Sequence, residues 1–306
     1  MIYTSGPALM ARLLEYQDTH PLPGLNTHDS RERFVEKLVH SELKLRALSM
    51  RKFSGSANPH KKDFHPLKAI VDLIEKGQRD EAVWLAFLTT HFGGPDARKT
   101  IRLFYGKFGN GRRDWATVRK NPDEIRLWMT SHPKKVKRLR FANHRKYETN
   151  NPNNPVGTAA VIYSFREWVK RNGRGLPYGA FCSVAKSSKS PERGFDKAYL
   201  KLDVTRFGRT AKFDFLCLLG NLKILDVSPP HCYLAEATGP KSGALLMVIG
   251  KKSGPVTTEI EATIQELQNH LGVPVEVMED ALCGWQKRPK SSPKVADKGY
   301  ITTTCG

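Results

Sequence analysis

The sequence predicts a mainly α-helical protein, a multi-helix domain with at most a minor strand element. Three observations predict it. Apolar residues recur at three- and four-residue spacing through most of the chain, Gly, Pro and Asn punctuate those stretches at their ends, and only one short apolar run reads as a strand.

Taken in order, Phe34, Val35, Leu38, Val39, Leu43, Leu45 and Leu48 form a near-helical stripe over 31–52, with Asp29 and Ser30 as caps. Residues 53–66 are polar and broken by proline. Residues 67–91 read as two helices split at Gly77 and closed by Gly93, Gly94 and Pro95. Short helices follow at 97–108 and 122–141, the second opening on Asn121 and Pro122. The Asn and Pro run at 150–155 is a loop. Helical spacing resumes over 156–170, whereas 172–195, rich in Gly, Ser, Lys and Pro, reads as exposed or mobile. Residues 196–222 read as a helix with Gly208 as a break. The strand candidate is 244–249, bounded by Gly243 and Gly250. The last two helices, 257–271 and 275–287, are separated by Gly272 and Pro274, and beyond Pro289 the chain becomes a basic tail expected to be disordered.

With 306 residues the chain is long enough to bury a core without disulfides. Its five cysteines are odd in number and lack C-x-x-C spacing, which predicts buried free thiols in a reducing compartment. Neither a signal peptide nor a run of eighteen apolar residues is present, so the expectation is a cytoplasmic protein that does not span a membrane. Fifty Lys and Arg against thirty Asp and Glu leave a formal charge of +20, a field that attracts polyanions, nucleic acid being the commonest. Sixteen of the basic residues but only three acidic ones fall within 98–146, an imbalance that an ordinary solvated face does not show. Phe104, Tyr105, Phe108, Trp115, Trp128, Phe141 and Tyr147 are interleaved with them, as core or as stacking partners.

No G-x-S-x-G, Walker A loop, H-E-x-x-H or G-x-G-x-x-G occurs, which argues against P-loop nucleotide hydrolysis. Three clusters carry chemistry instead. Asn143, His144, Arg145, Lys146, Tyr147 and Glu148 bring together the donors that oxyanions or a base edge would use, or else form a basic helix end. From Arg206 to Asp214, a Gly followed by Arg209, Thr210 and Lys212 aims N–H groups and cations at an anion, or is an ordinary solvated helix start. In the third, Glu279 and Asp280 diverge by about 100° on a helix, so one carboxylate faces a pocket as a candidate general base, unless both are solvated acids of a first turn.

Together, Asn143 to Glu148, Phe207 to Asp214, the Ala237-Thr238-Gly239-Pro240 turn leading to Gly243-Ala244, and Val277 to Cys283 with Trp285-Gln286-Lys287 resemble the alpha-glutamyl/putrescinyl thymine pyrophosphorylase family, clade 3 in particular. His91-Phe92-Gly93 and the helix before it look alike too, so the resemblance runs from about Leu25 to Gln286. It implies an N-terminal extension at 1–24, a helical catalytic domain at 25–288, related to DNA glycosylases, and a basic tail at 289–306.

The activity implied is bacteriophage thymine hypermodification. A kinase-generated phosphate or pyrophosphate ester of 5-hydroxymethyluracil in double-stranded DNA is displaced by an amino acid or polyamine such as glycine, serine, glutamate or putrescine. The implied setting is the cytoplasm of an infected bacterium. In this reading Arg145, Lys146, Arg209 and Lys212, with Asn143 and His144, hold the leaving group and DNA. Asp280 or Glu279 deprotonates the amine, and Asp214 holds the ammonium. Mg²⁺ is the one cofactor the leaving group leaves room for, and the sequence contains no dedicated metal site. The rival functions are a non-enzymatic DNA-binding protein and a glycosylase or lyase that removes a modified base.

Overall fold

The computed structural model describes residues 5–106, 114–121, 123–142, 145, 147–186 and 188–287. Among these, fifteen α-helices and no strand are found, apart from one isolated bridge between Ser56 and Phe64. The chain divides into two compact units, one from the described residues of 1–47 and 230–306, the other from 48–229.

The first unit contains α1 (Gly6–Gln17), most of α2 (His28–Ser49), α13 (Gly239–Ile249), α14 (Thr258–Leu271) and α15 (Val275–Trp285). Ser5 caps α1 through the Ala8 N–H, and Leu9, Leu13 and Tyr16 on one face are buried where α1 packs on α14. Residues 6–17 are thus part of a folded core. The 244–249 segment, expected as a strand, is the C-terminal half of α13, and that is a correction. A short apolar run fits a buried helix as well as a strand. Its boundary glycine was also misread: Gly243 lies against the Leu282 carbonyl of α15, where no Cβ fits, so it marks a close helix approach.

The second unit is built around α4 (Arg79–Phe92), every residue of which from Ala82 to Phe92 is buried. Burial on all sides explains why its periodicity is weak in the sequence. α3 (Pro66–Glu75), α5 (Arg98–Gly106) and α6 (Trp115–Lys120) pack on it, as do α10 (Pro177–Ala185) and α12 (Arg209–Asn221). Aromatic rings fill the space between them. Phe87 stacks on Phe165 at 3.9 Å between centroids and lies 5.1 Å from Phe207. Phe165 belongs to α9 (Thr158–Gly173), which packs on α10 and on α7 (Glu124–Ser131). α8 (Pro133–Val136) and α11 (Pro191–Lys201) complete the set.

Three further expectations are revised. Residues 172–195 are largely helical and not a mobile stretch: Pro177 and Pro191 occupy first-turn positions of α10 and α11, Ser190 caps the latter, and Phe181 and Phe195 are fully buried. Residues 196–222 form two helices, because the chain leaves α11 at Leu202 and restarts after Gly208. Residues 122–141 are broken at Pro133 into α7 and α8, and Pro122 lies outside the described residues. The 150–155 loop is as expected, with Asn151 and Asn154 side chains accepting from the N–H groups of Asn153 and Val156 at 3.0 and 2.9 Å. No helix among the described residues is long and apolar enough to cross a membrane.

Candidate functional site

The second unit holds a cluster of buried charges beside its aromatic core. Arg145 sits in the short turn after residue 142 with only 11% of its side chain exposed, and its Nη2 lies 4.0 Å from Oδ2 of Asp214, itself 15% exposed. Asp214 is carried in by α12, whose apolar residues Phe213, Phe215 and Leu216 are buried around it. On the same turn as Arg145, Glu148 is 9% exposed and pairs through Oε1 with Nη2 of Arg206 at 3.6 Å. Arg206 has a left-handed backbone, φ 60°, in the segment that links α11 to α12. Asp214, Arg145, Glu148 and Arg206 therefore form a chain of alternating charge that the sequence scatters over the 70 positions from 145 to 214.

Electrostatics reflect the depth of this cluster. Burial lowers the Arg145 guanidinium below its ordinary range, an effect that Asp214 and Glu148 oppose. Burial raises Glu148, opposed by Arg206 and Arg145. Beside them, burial and the Arg145 charge push His91 down to about 3, so its ring is neutral. The Nε2 atom of His91 lies 3.2 Å from the Thr158 hydroxyl, which also lies 3.2 Å from the Thr149 carbonyl and 3.1 Å from the Asn150 Oδ1. Those two oxygens only accept, so the hydroxyl proton goes to them and the tautomer assigned to His91 carries its proton on Nε2. Arg145 is charge-compensated while its Nε and Nη2 have no hydrogen-bond acceptor among the described residues. Both atoms are closed off from solvent in this structure, so an anion would reach these donors only after the site opens.

The other expected residues distribute as follows. Arg209, at the start of α12, is buried with its guanidinium 4.7 Å over the Phe213 ring, and the Lys212 ammonium lies 5.5 Å over Tyr199. Asn143, His144 and Lys146 lie outside the described residues. Asp280 and Glu279 belong to α15 of the first unit, whereas the Arg145 cluster belongs to the second. There Oδ2 of Asp280 accepts from Ser41 Oγ at 2.8 Å and from Lys44 Nζ at 3.2 Å, which ties α15 to α2. Of the two adjacent acids, Glu279 is the more deeply buried, at 5% exposure. Sequence reasoning left Glu148 and Arg206 out of the candidate set, and assigned no role to His91.

Within 98–146, Phe104, Tyr105, Trp115 and Trp128 are core, Tyr147 is 77% exposed, and Phe108 lies outside the described residues. The basic side chains of Lys99, Arg119, Lys120, Arg126, Lys134, Lys135, Lys137, Arg138 and Arg140 are exposed. Among the described residues no three His, Cys, Asp or Glu side chains gather as a metal would require.

Compared with protein-family models, residues 29–295 match the one described as alpha-glutamyl/putrescinyl thymine pyrophosphorylase clade 3. No curated protein matches, and neither does any solved structure.

Proposed function

Because the match spans most of its length, the chain belongs to the alpha-glutamyl/putrescinyl thymine pyrophosphorylase family, clade 3, and from that membership we propose that it is a transferase of thymine hypermodification in DNA. Its substrate is double-stranded DNA carrying a phosphate or pyrophosphate ester on the 5-methylene of 5-hydroxymethyluracil, and its co-substrate is an amino acid or amine. The observation that carries the reading is the Arg145 guanidinium, buried, charge-compensated by Asp214, and with hydrogen-bond donors not otherwise engaged among the described residues.

The step balances as a displacement. The amine gives up a proton, its lone pair forms the C–N bond at the methylene, and the C–O bond breaks with its electron pair leaving on the phosphate or pyrophosphate. Negative charge grows on that oxygen, and cations aimed at it stabilise the transition state more than the ground state. Arg145 supplies the buried cation, with Arg209 and Lys212 at the positive end of α12. As the leaving group draws Arg145, the Asp214 carboxylate loses part of its counter-charge and takes the proton of the incoming ammonium. Asp280, already engaged by Ser41 and Lys44, is assigned to holding α15 on α2. The exposed basic residues of α7, α8 and their flanks supply the backbone grip.

The test is nucleoside mass spectrometry after incubating the protein with kinase-treated 5-hydroxymethyluracil DNA and a mixture of amino acids and putrescine. A new nucleoside bearing one added amine supports the reading. Release of a free base favours a glycosylase, and unchanged nucleosides with intact DNA binding favour a binding protein.

A further inference from the structure

We propose that Glu148 is a positioning residue of this site, bridging Arg206 and Arg145 so that the Arg145 guanidinium is held facing Asp214 with its donors turned to the substrate. This rests on the reading of Arg145 as the leaving-group ligand.

Two observations converge on Glu148. Its side chain is almost buried, yet one oxygen faces Arg206 Nη2 at 3.6 Å and its charge acts on Arg145 as well. Burial raises that carboxylate and the two guanidiniums oppose the rise, so its placement there needs a reason beyond packing. Its second oxygen, Oε2, has no hydrogen-bond partner among the described residues, so Glu148 acts by charge and leaves the Arg145 donors unspent.

The arrangement gives the site a dependence on pH. The charged groups facing Glu148 are Arg206 from the segment before α12 and Arg145 from its own turn, with Asp214 beyond Arg145 and the neutral ring of His91 on α4 beside it. Burial raises Glu148, so it gains a proton above the usual carboxylate range as pH falls. Protonated, it no longer anchors either guanidinium, and Arg145 loses its alignment.

The experiment is the pH profile of kcat for amine transfer in the full chain, with KM for DNA measured alongside. In Glu148→Gln, kcat at pH 8 falls on the order of 10- to 100-fold, KM for DNA stays within a factor of about two, and the acid limb seen in the wild type moves, since only the part set by Asp214 remains. Arg206→Gln, a change at a half-exposed side chain, serves if Glu148→Gln does not fold. Removing the Arg206 charge raises Glu148 further, so the acid limb moves to higher pH. A merely structural role moves neither limb. An active wild type whose kcat and acid limb are unchanged in Glu148→Gln, or whose limb stays in place in Arg206→Gln, overturns the positioning role alone. A wild type that transfers no amine overturns the functional reading and this proposal with it.

Discussion

The Nη2 of Arg145 stands 4.0 Å from Oδ2 of Asp214, near enough for strong attraction and too far for a hydrogen bond, in a site from which both side chains are nearly excluded from water. An ion pair that does not spend its donors is poised to exchange partners. Arg145→Lys retains the charge but loses the planar fork, and is expected to reduce transfer by about 100-fold or more while binding unmodified duplex DNA as the wild type does. Equal losses of rate and DNA affinity, measured by single-turnover kinetics and fluorescence anisotropy, would place Arg145 in the backbone grip.

His91 makes the folded state sensitive to acid. Its folded value of about 3 lies below the ordinary 6.5, so it contributes stability that is present above pH 6.5 and lost as pH falls toward 3. The full shift corresponds to a loss on the order of 5 kcal/mol at the acid end. Urea unfolding at pH 7 and pH 4 is the measurement. His91→Gln should be destabilised at pH 7 and lose less than the wild type on acidification. It retains the smaller part that comes from His65, which burial lowers to about 4. A variant with the same pH dependence as the wild type contradicts the assignment.

Close packing of α13 on α15 rests on a missing Cβ. Gly243→Ala would drive a methyl group into the Leu282 carbonyl oxygen, and backbone cannot yield as a side-chain end can. A loss on the order of 3 kcal/mol is expected. Gly77→Ala, where a Cβ meets nothing but φ is 69°, should cost about 1 kcal/mol. Equal denaturation midpoints for the two variants would refute the close approach.

The proposed backbone grip, by the exposed cations at Lys134, Lys135, Lys137, Arg138 and Arg140, would carry a salt signature. DNA affinity should fall steeply between about 50 and 200 mM salt, and each of these changed to Gln should lower the slope of log K against log salt by up to about 1. A slope that survives replacement of all five moves the DNA footprint elsewhere on the chain.

Helices were legible in the sequence where their ends carry chemistry. α14 starts at the Thr257 cap and stops at Gly272 in the left-handed region, both evident from residue type. α13 was not legible, because residues 244–249 are apolar on all sides and Gly243 signals a close approach and a strand boundary alike. Arg145 and Asp214 were each singled out, but no periodicity relates residues 69 positions apart, so their pairing is a product of tertiary folding. Glu148 lay inside a quoted motif and Arg206 at the edge of another. What gives them meaning is burial for the first and a left-handed backbone for the second, and an Arg carries no mark of either. The same holds for Asp280, whose partners Ser41 and Lys44 lie more than 230 positions away.

The central claim is that chemistry resides in the buried cluster of the second unit, and the most direct measurement compares Asp214→Asn with Asp280→Asn in the same transfer assay. Nucleosides from kinase-treated 5-hydroxymethyluracil DNA are quantified by mass spectrometry after equal incubation with the wild type and each variant. Asp214→Asn is expected to fold and bind DNA yet form at least about 100-fold less amine-bearing nucleoside. Asp280→Asn should retain most of the wild-type rate while losing about 1–3 kcal/mol of stability through its weakened tie to Lys44. Wild-type product from Asp214→Asn together with none from a folded Asp280→Asn would contradict the account and move proton transfer to α15.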